Sequence, residues 1–530
     1  MYEKRASIIL MVICGIALGT GGFMLWRDRI PADPEAAPVV NGTTTTPSST
    51  TTTSSSTSTS TSTTTTTTTT VPVRSRDEIP GWTVGQPWGE VAGVTMFRGS
   101  PTRTFYGTGP IDPEPSQVWR YPEQGMCSTT SIGGEQTRWC GMGWTGQPTI
   151  HERSDGKTWL IFGAYDRAVH FVDAATGVSL LPRFVTGDII KGSVTVDPDG
   201  YPLIYFGSRD NKLRIVAFDR DQPTELWSLD ANAVSGIWNN DWDSNPIVID
   251  DILYAGGENG WFFAYAINRG YDASGQVTIS MERLLAMPGY TNDLVSRSGR
   301  NVSIESSPVA YEQRVYFTNS GGRVVGLDVS EIRSGNAPIV FDFWAGGDID
   351  STPIVDAEGF VYISVEYEPG DVGGTARTRA NIDRNAEVGQ LVKLDPYTTG
   401  DPIVWSLDLR KGSGNSGVWA TPALHMGFLY VPTETGELHA VDTATGEVTW
   451  TDQVSSHAWA SPIVADDVLV QAVCTGEHSG GLRGYSVTNP ATPQLLWTVP
   501  AANACIESSP IVWEGTIYVG SRDGYIRALR

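Results

Sequence analysis

Basic residues are scarce in this chain: 36 lysines and arginines stand against 59 aspartates and glutamates, a formal charge of −23. Binding to nucleic acid depends on Lys and Arg neutralising phosphates, so this balance excludes nucleic acid as a partner. Histidine is scarcer still, six scattered residues without His-x-x-x-His spacing, and Cys-x-x-Cys is absent, which removes the usual zinc and haem signatures. Only five cysteines occur, and the four beyond residue 14 are Cys127, Cys140, Cys474 and Cys505. An even number without metal-site spacing fits an oxidising compartment. Four cysteines allow three connectivities; the pairs expected are Cys127–Cys140 and Cys474–Cys505.

Long apolar runs are missing with one exception. Ala6 to Trp26 carries no charge over 21 residues, and at 1.5 Å per residue it reaches about 31 Å, the thickness of a bilayer core. It reads as a transmembrane helix after a five-residue cytoplasmic tail, with a cleaved signal peptide as the rival reading. Flanking charge does not orient it, because Lys4 and Arg5 face Arg27 and Arg29. Residues 27–80 follow, almost wholly Thr and Ser from Thr43 to Thr70. With nothing apolar to bury, this stretch is expected to be a disordered stalk, open to O-glycosylation. The cysteines then put the remainder outside the membrane. Residues 81–116 form a lead-in and 117–530 the main domain.

That domain is a repeat. Its last unit reads Ser508-Ser509-Pro510-Ile511-Val512, Thr516-Ile517-Tyr518-Val519-Gly520, a turn at Arg522-Asp523-Gly524, and Tyr525-Ile526-Arg527-Ala528-Leu529. Three β-rich runs separated by turn residues make a meander. The small-small-Pro start recurs at Pro148, Pro246, Pro308, Pro353, Pro422 and Pro462, and without proline at Val194, giving eight starts 40 to 69 residues apart. Such a period with four-stranded units means an all-β propeller. Eight blades are expected, with seven as the alternative should the Pro-less unit fail. Fourth strands carry Trp227, Trp405, Trp450 and Trp497. The last unit lacks a fourth strand, while Gln117-Val118-Trp119-Arg120 is a strand without a unit. Pairing the two closes the ring and leaves no frayed edge.

Ala440-Val441-Asp442-Thr443-Ala444-Thr445-Gly446-Glu447-Val448-Thr449-Trp450 resembles the Ala-x-Asp-x-x-Thr-Gly-x-x-x-Trp motif of pyrroloquinoline-quinone-like (PQQ-like) propeller repeats. Phe171 to Gly177 is similar, with Leu181 where tryptophan is expected. The resemblance covers Gln117 to Arg530 and implies the fold. On activity it is divided, since such repeats occur in quinoprotein dehydrogenases and in non-enzymatic propellers, among them the propeller subunit of the bacterial β-barrel assembly machinery.

In a propeller the loops entering the inner strands gather at one mouth of the channel. The third residue before each strand-start position is Thr145, Lys191, Asp243, Glu305, Asp350, Trp419, Trp459 and Glu507. Clustered carboxylates suit Ca²⁺ and indole faces suit a flat cofactor, so Lys191, Asp243, Glu305, Asp350, Trp419, Trp459 and Glu507 form a candidate ligand ring. The competing reading is that these residues are simply how each repeat begins. Two insertions, Tyr271 to Arg300 and Glu366 to Gly389, the second bearing Arg377, Arg379 and Arg384, are candidate partner surfaces. No catalytic residue is assignable, and the adjacent Cys-Cys pair of many quinoprotein alcohol dehydrogenases is absent. The reading that follows is a single-pass, membrane-anchored extracytoplasmic propeller that scaffolds or assembles protein or envelope partners, with no assigned cofactor. The alternatives are a PQQ- and Ca-dependent dehydrogenase and a carbohydrate-binding propeller.

Overall fold

The computed structural model describes residues 84–530, except 133–134, 144–145, 373–374 and 477–478. Ala6 to Trp26 and the Thr/Ser stretch lie outside these residues. Among the described residues no helix is long and apolar enough to cross a membrane.

Eight antiparallel sheets follow one another along the chain. The Pro-less unit is a full blade, Thr195–Val196, Leu203–Ser208, Lys212–Ala217 and Thr224–Asp230, so the count is eight and not seven. In the last blade Ile511–Trp513, Thr516–Gly520 and Ile526–Leu529 are joined by Gln117–Tyr121 as the outermost strand. Trp119 lies opposite Ala528, the pairing the unmatched strand pointed to. Both disulfides are present, Cys127–Cys140 across the hairpin Cys127–Ile132/Glu135–Cys140 and Cys474–Cys505 within the seventh and eighth repeats.

The family motif has a physical reading in this ring. Asp442 Oδ1 accepts the N–H groups of Ala444 and Thr445 at 2.7 and 3.1 Å, folding the turn back on itself. Gly446 sits at φ +75°, and a Cβ there would come within 2.8 Å of the Trp405 ring of the preceding blade. Trp405 Nε1 donates to Thr443 O at 2.9 Å. Trp119 repeats the arrangement on Gly177 and Ala174 O, so the fourth-strand tryptophan docks onto the next blade's turn.

The inner strands pose the harder problem, because each presents an unpaired backbone edge to the channel, and buried backbone groups must find partners. One solution is a belt at the residue preceding each strand-start position. Gln147 N–H donates to Ser193 Oγ, Asn245 to Ser307, Ser307 to Thr352, Thr352 to Thr421, Thr421 to Ser461, and Ser461 to Ser509, at 2.9 to 3.2 Å. Asn245 Nδ2 to Ser193 O and Ser509 N–H to Gly146 O, both 3.0 Å, complete the circle. Proline suits the next position because its nitrogen has nothing to donate.

The other solution is the lead-in itself, which runs inside the ring. Gly93–Val94 pairs with Thr149–Glu152 of blade 1. Thr95 O then accepts from Val196, Pro101 O from Ala310, Thr102 O from Val355, and Thr108 donates to Val512 O. Arg98 and Arg103 are fully buried. The Arg98 guanidinium donates to Pro462 O and Pro422 O at 2.9 and 2.6 Å, and Arg103 donates to Pro308 O, Phe97 O and Asn245 O. Carbonyls left by strand-start prolines are thus held by two internal cations. Burial, then the Arg98 charge, pushes Arg103 down to about 9, still protonated at neutral pH.

Arg103→Met should strip donors from three buried carbonyls and lower stability by on the order of 3 kcal/mol, against less than about 0.5 kcal/mol for the exposed Arg379→Met. Urea denaturation followed by tryptophan fluorescence measures this; equal midpoints would refute the clamp.

Candidate functional site

Of the strand-start residues, Asp243, Glu305, Asp350 and Trp419 line one central cavity whose floor is Phe97 of the internal segment. Its remaining wall is hydroxyl-rich, from Ser307, Ser351, Thr352, Thr421 and Ser461. The free volume is about 20 Å³, little more than the roughly 10–15 Å³ that one water requires. Lys191, Trp459 and Glu507 stand beside this cavity rather than in its wall. Thr145 lies outside the described residues.

Lys191 Nζ approaches Asp243 Oδ2 at 2.6 Å, Glu258 Oε1 at 3.1 Å and Asp241 Oδ2 at 3.4 Å. Burial disfavours the ammonium, but Asp243, Glu258, Asp241 and Glu305 outweigh it, so Lys191 is held above its ordinary range. For Asp243 burial dominates in the other direction and holds it well above the usual carboxylate range, against the pull of Lys191. Arg209 Nε meets Asp241 at 3.0 Å. Glu305 accepts from Ser303 Oγ at 2.9 Å and Asp350 from Ser320 Oγ at 3.1 Å. Glu507 is tied to Arg522 at 3.1 Å, whose guanidinium lies over Trp139.

The two tryptophans do not offer parallel walls for a flat ligand. Trp419 and Trp459 stack on each other with centroids 5.3 Å apart and planes 12° from parallel, and Trp419 is buried. His457 packs on Trp459, whose Nε1 donates to Glu434. Burial pushes the Glu434 carboxyl up to about 8, with the Trp459 hydrogen bond opposing and the Glu368 charge assisting.

Repeat starts alone miss Glu258, Glu434, Arg209 and Arg522, which reach the mouth from turns between second and third strands. A signal exists: Glu258-Asn259-Gly260, Glu434-Thr435-Gly436 and Arg522-Asp523-Gly524 all place a charge two residues before the turn glycine. The insertions meet at the rim, where the helix Arg379–Val388 lies beside the helix Asn292–Ser298 and Thr378 Oγ1 donates to Arg297 O. The three arginines are not a basic patch. Arg377 is buried against Asp348 and Glu368, Arg379 pairs with Asp383, and Arg384 with Glu387.

A tricyclic quinone finds no room in a cavity of about 20 Å³, and the indoles that were expected to hold it are already stacked together. The residues present therefore do not fit PQQ at this position.

Because Glu434 binds its proton more tightly when folded, the folded state holds more protons than the unfolded one between about pH 4.5 and 8, and stability falls as pH rises through that window. Glu434→Gln should remove this loss, gaining on wild type by at most about 1.4 kcal/mol per pH unit. Denaturation midpoints of the two proteins at pH 5, 6, 7 and 8 test it; parallel profiles would refute the assignment.

The family described as outer membrane protein assembly factor BamB matches residues 387–530. No curated protein matches the chain. Similar solved structures include the designed Ika8 protein, 12% identical, covering 73% of this chain and 96% of its own, with a TM-score of 0.49. BamB from Moraxella catarrhalis is 15% identical and covers 79% of this chain and 98% of its own, with a TM-score of 0.47. Saccharomyces cerevisiae Sqt1 is 10% identical and covers 73% and 95%, with a TM-score of 0.52. With its eight blades and docked tryptophan motif, the chain is an eight-bladed β-propeller whose C-terminal repeats, residues 387–530, match the family described as outer membrane protein assembly factor BamB.

Proposed function

We propose that this propeller is a membrane-tethered, extracytoplasmic scaffold that binds or assembles protein partners of the cell envelope through its mouth face. The observation that carries the reading is the filled channel. Residues 93–108 occupy it, and what remains above Phe97 admits only a single small ligand, so recognition falls to the faces. A scaffold role is what the BamB-like match supports at family level. The two disulfides support an oxidising compartment.

The geometry also favours one face. Gly85 N–H donates to Thr104 Oγ1 at 3.0 Å, and Val84 lies with the first-to-second strand turns Asp356–Glu358 and Leu424–Gly427, on the side away from the strand starts. A tether arriving there leaves the mouth and its two-helix rim turned outward from the membrane. Photocrosslinking from position 379 or 293 in intact cells should yield a discrete envelope-protein adduct, while the same probe at Met426, exposed on the opposite face, should not. Adducts at 426 alone would overturn the choice of face. The dehydrogenase alternative predicts saturable quinone absorbance and dye-linked turnover on reconstitution with PQQ and Ca²⁺; the expected result is neither.

A further inference from the structure

One histidine stands directly beside a disulfide. Cys474 lies near the end of the second strand of the seventh blade, Val468–Gly476, and Cys505 two residues before Glu507 in the loop entering the eighth. Both places belong to the mouth face. One ring nitrogen of His457 and the two sulfurs lie within 4.8 Å of one another. The ring is fixed there: His457 packs on Trp459 with centroids 4.2 Å apart, Trp459 donates to Glu434, and Ser455 Oγ donates to His457 O. Its Nδ1 is 3.4 Å from Ser456 Oγ, and its buried Nε2 has no hydrogen-bond partner among the described residues. A buried polar nitrogen in that state is costly unless chemistry uses it. The two sulfurs are unequal as well, since Cys474 is 3% exposed and Cys505 is half-buried.

We propose that Cys474–Cys505 is a redox-active disulfide that exchanges with dithiols, with Cys505 as the sulfur attacked and His457 as the group that carries the proton. Exchange proceeds by thiolate attack on one sulfur, at a rate set by access to it and by how well the other sulfur leaves. Cys505 is the reachable one. A thiol of the incoming dithiol bonds to Cys505 Sγ, and Cys474 Sγ departs with the electron pair of the S–S bond. His457 takes the proton of the attacking thiol, and the imidazolium so formed stabilises the departing Cys474 thiolate and then protonates it. Burial, against the Glu507 charge, holds the imidazole below its ordinary range, so at neutral pH it is free to accept that proton. The second thiol of the dithiol next attacks its partner's sulfur in the mixed disulfide and releases Cys505 as a thiol. Two electrons and two protons have then passed to the propeller, and the dithiol has become a disulfide. The exchange needs neither the tether nor any particular partner on the mouth face.

Cys127–Cys140 is the internal reference. Both of its cysteines are half-buried, so accessibility alone would open it before the pair that includes buried Cys474. Full-length protein is treated with dithiothreitol at neutral pH, alkylated at intervals and read by mass spectrometry at these four cysteines. Cys474–Cys505 should open at least about tenfold faster than Cys127–Cys140, and His457→Gln should slow it by about tenfold while leaving the rate at Cys127–Cys140 unchanged. Glutathione, a monothiol, should leave its adduct on Cys505 and not on Cys474. A smaller ratio between the two disulfides, an adduct on Cys474, or a folded His457→Gln protein whose Cys474–Cys505 rate is unchanged or falls in step with that of Cys127–Cys140 overturns the proposal. Should that variant not fold, the wild-type rates and the adduct position decide.

Discussion

The constraint on which this ring depends is the bare inner edge of its innermost strands. A β-sheet closed into a blade still exposes one row of backbone donors and acceptors to the channel, and eight such rows converge where water is largely excluded. The belt from Gln147 to Ser509 satisfies the donors at one level, and the guanidinium groups of Arg98 and Arg103 satisfy carbonyls at the next. Because each backbone N–H of the belt reaches into the following blade, blade-to-blade spacing and backbone satisfaction are one requirement. The side chains above the belt inherit their positions from it, which is why Asp243, Glu305, Asp350 and Trp419 meet around one cavity.

The ring was legible in the sequence because it is written eight times. Even the Pro-less start at Val194 could be placed by period, and the unmatched Gln117 to Arg120 by the vacancy at the other end. The serine or threonine before proline was read as small, whereas its hydroxyl is the reason for its presence, accepting a neighbour's N–H. The internal segment was not legible. Gly93 to Thr108 occurs once, has no period, and its two arginines resemble surface residues until the carbonyls of Pro308, Pro422 and Pro462 are seen around them.

The site was half legible for the same reason. Residues at the repeat start were found by counting, and four of them, Asp243, Glu305, Asp350 and Trp419, line one cavity. Their partners come from another level of the blade, so the pairing of Lys191 with Glu258 and of Trp459 with Glu434 could not be read from the starts alone. Expectation also failed where chemistry was inferred from residue type. Two tryptophans promised a slot for a flat ring but satisfy each other, and Arg377, Arg379 and Arg384, in an insertion read as a partner surface, meet carboxylates at or beneath the rim.

The internal segment ties the order of synthesis to the order of assembly. It is made before any blade, yet its backbone contacts run from Ile150 in the first to Val512 in the eighth, and the strand at Gln117–Tyr121 waits for Ile526–Leu529. Blades therefore cannot reach their final state one at a time as they leave the ribosome. The early chain must remain unsatisfied until roughly four hundred further residues have followed, so contacts of very long sequence separation come last and folding is slow. A chain interrupted before its final repeat keeps the edge at Gln117–Tyr121 without its partner, and one interrupted before Pro422 also leaves Arg98 without its carbonyls, a state that cellular quality control can recognise.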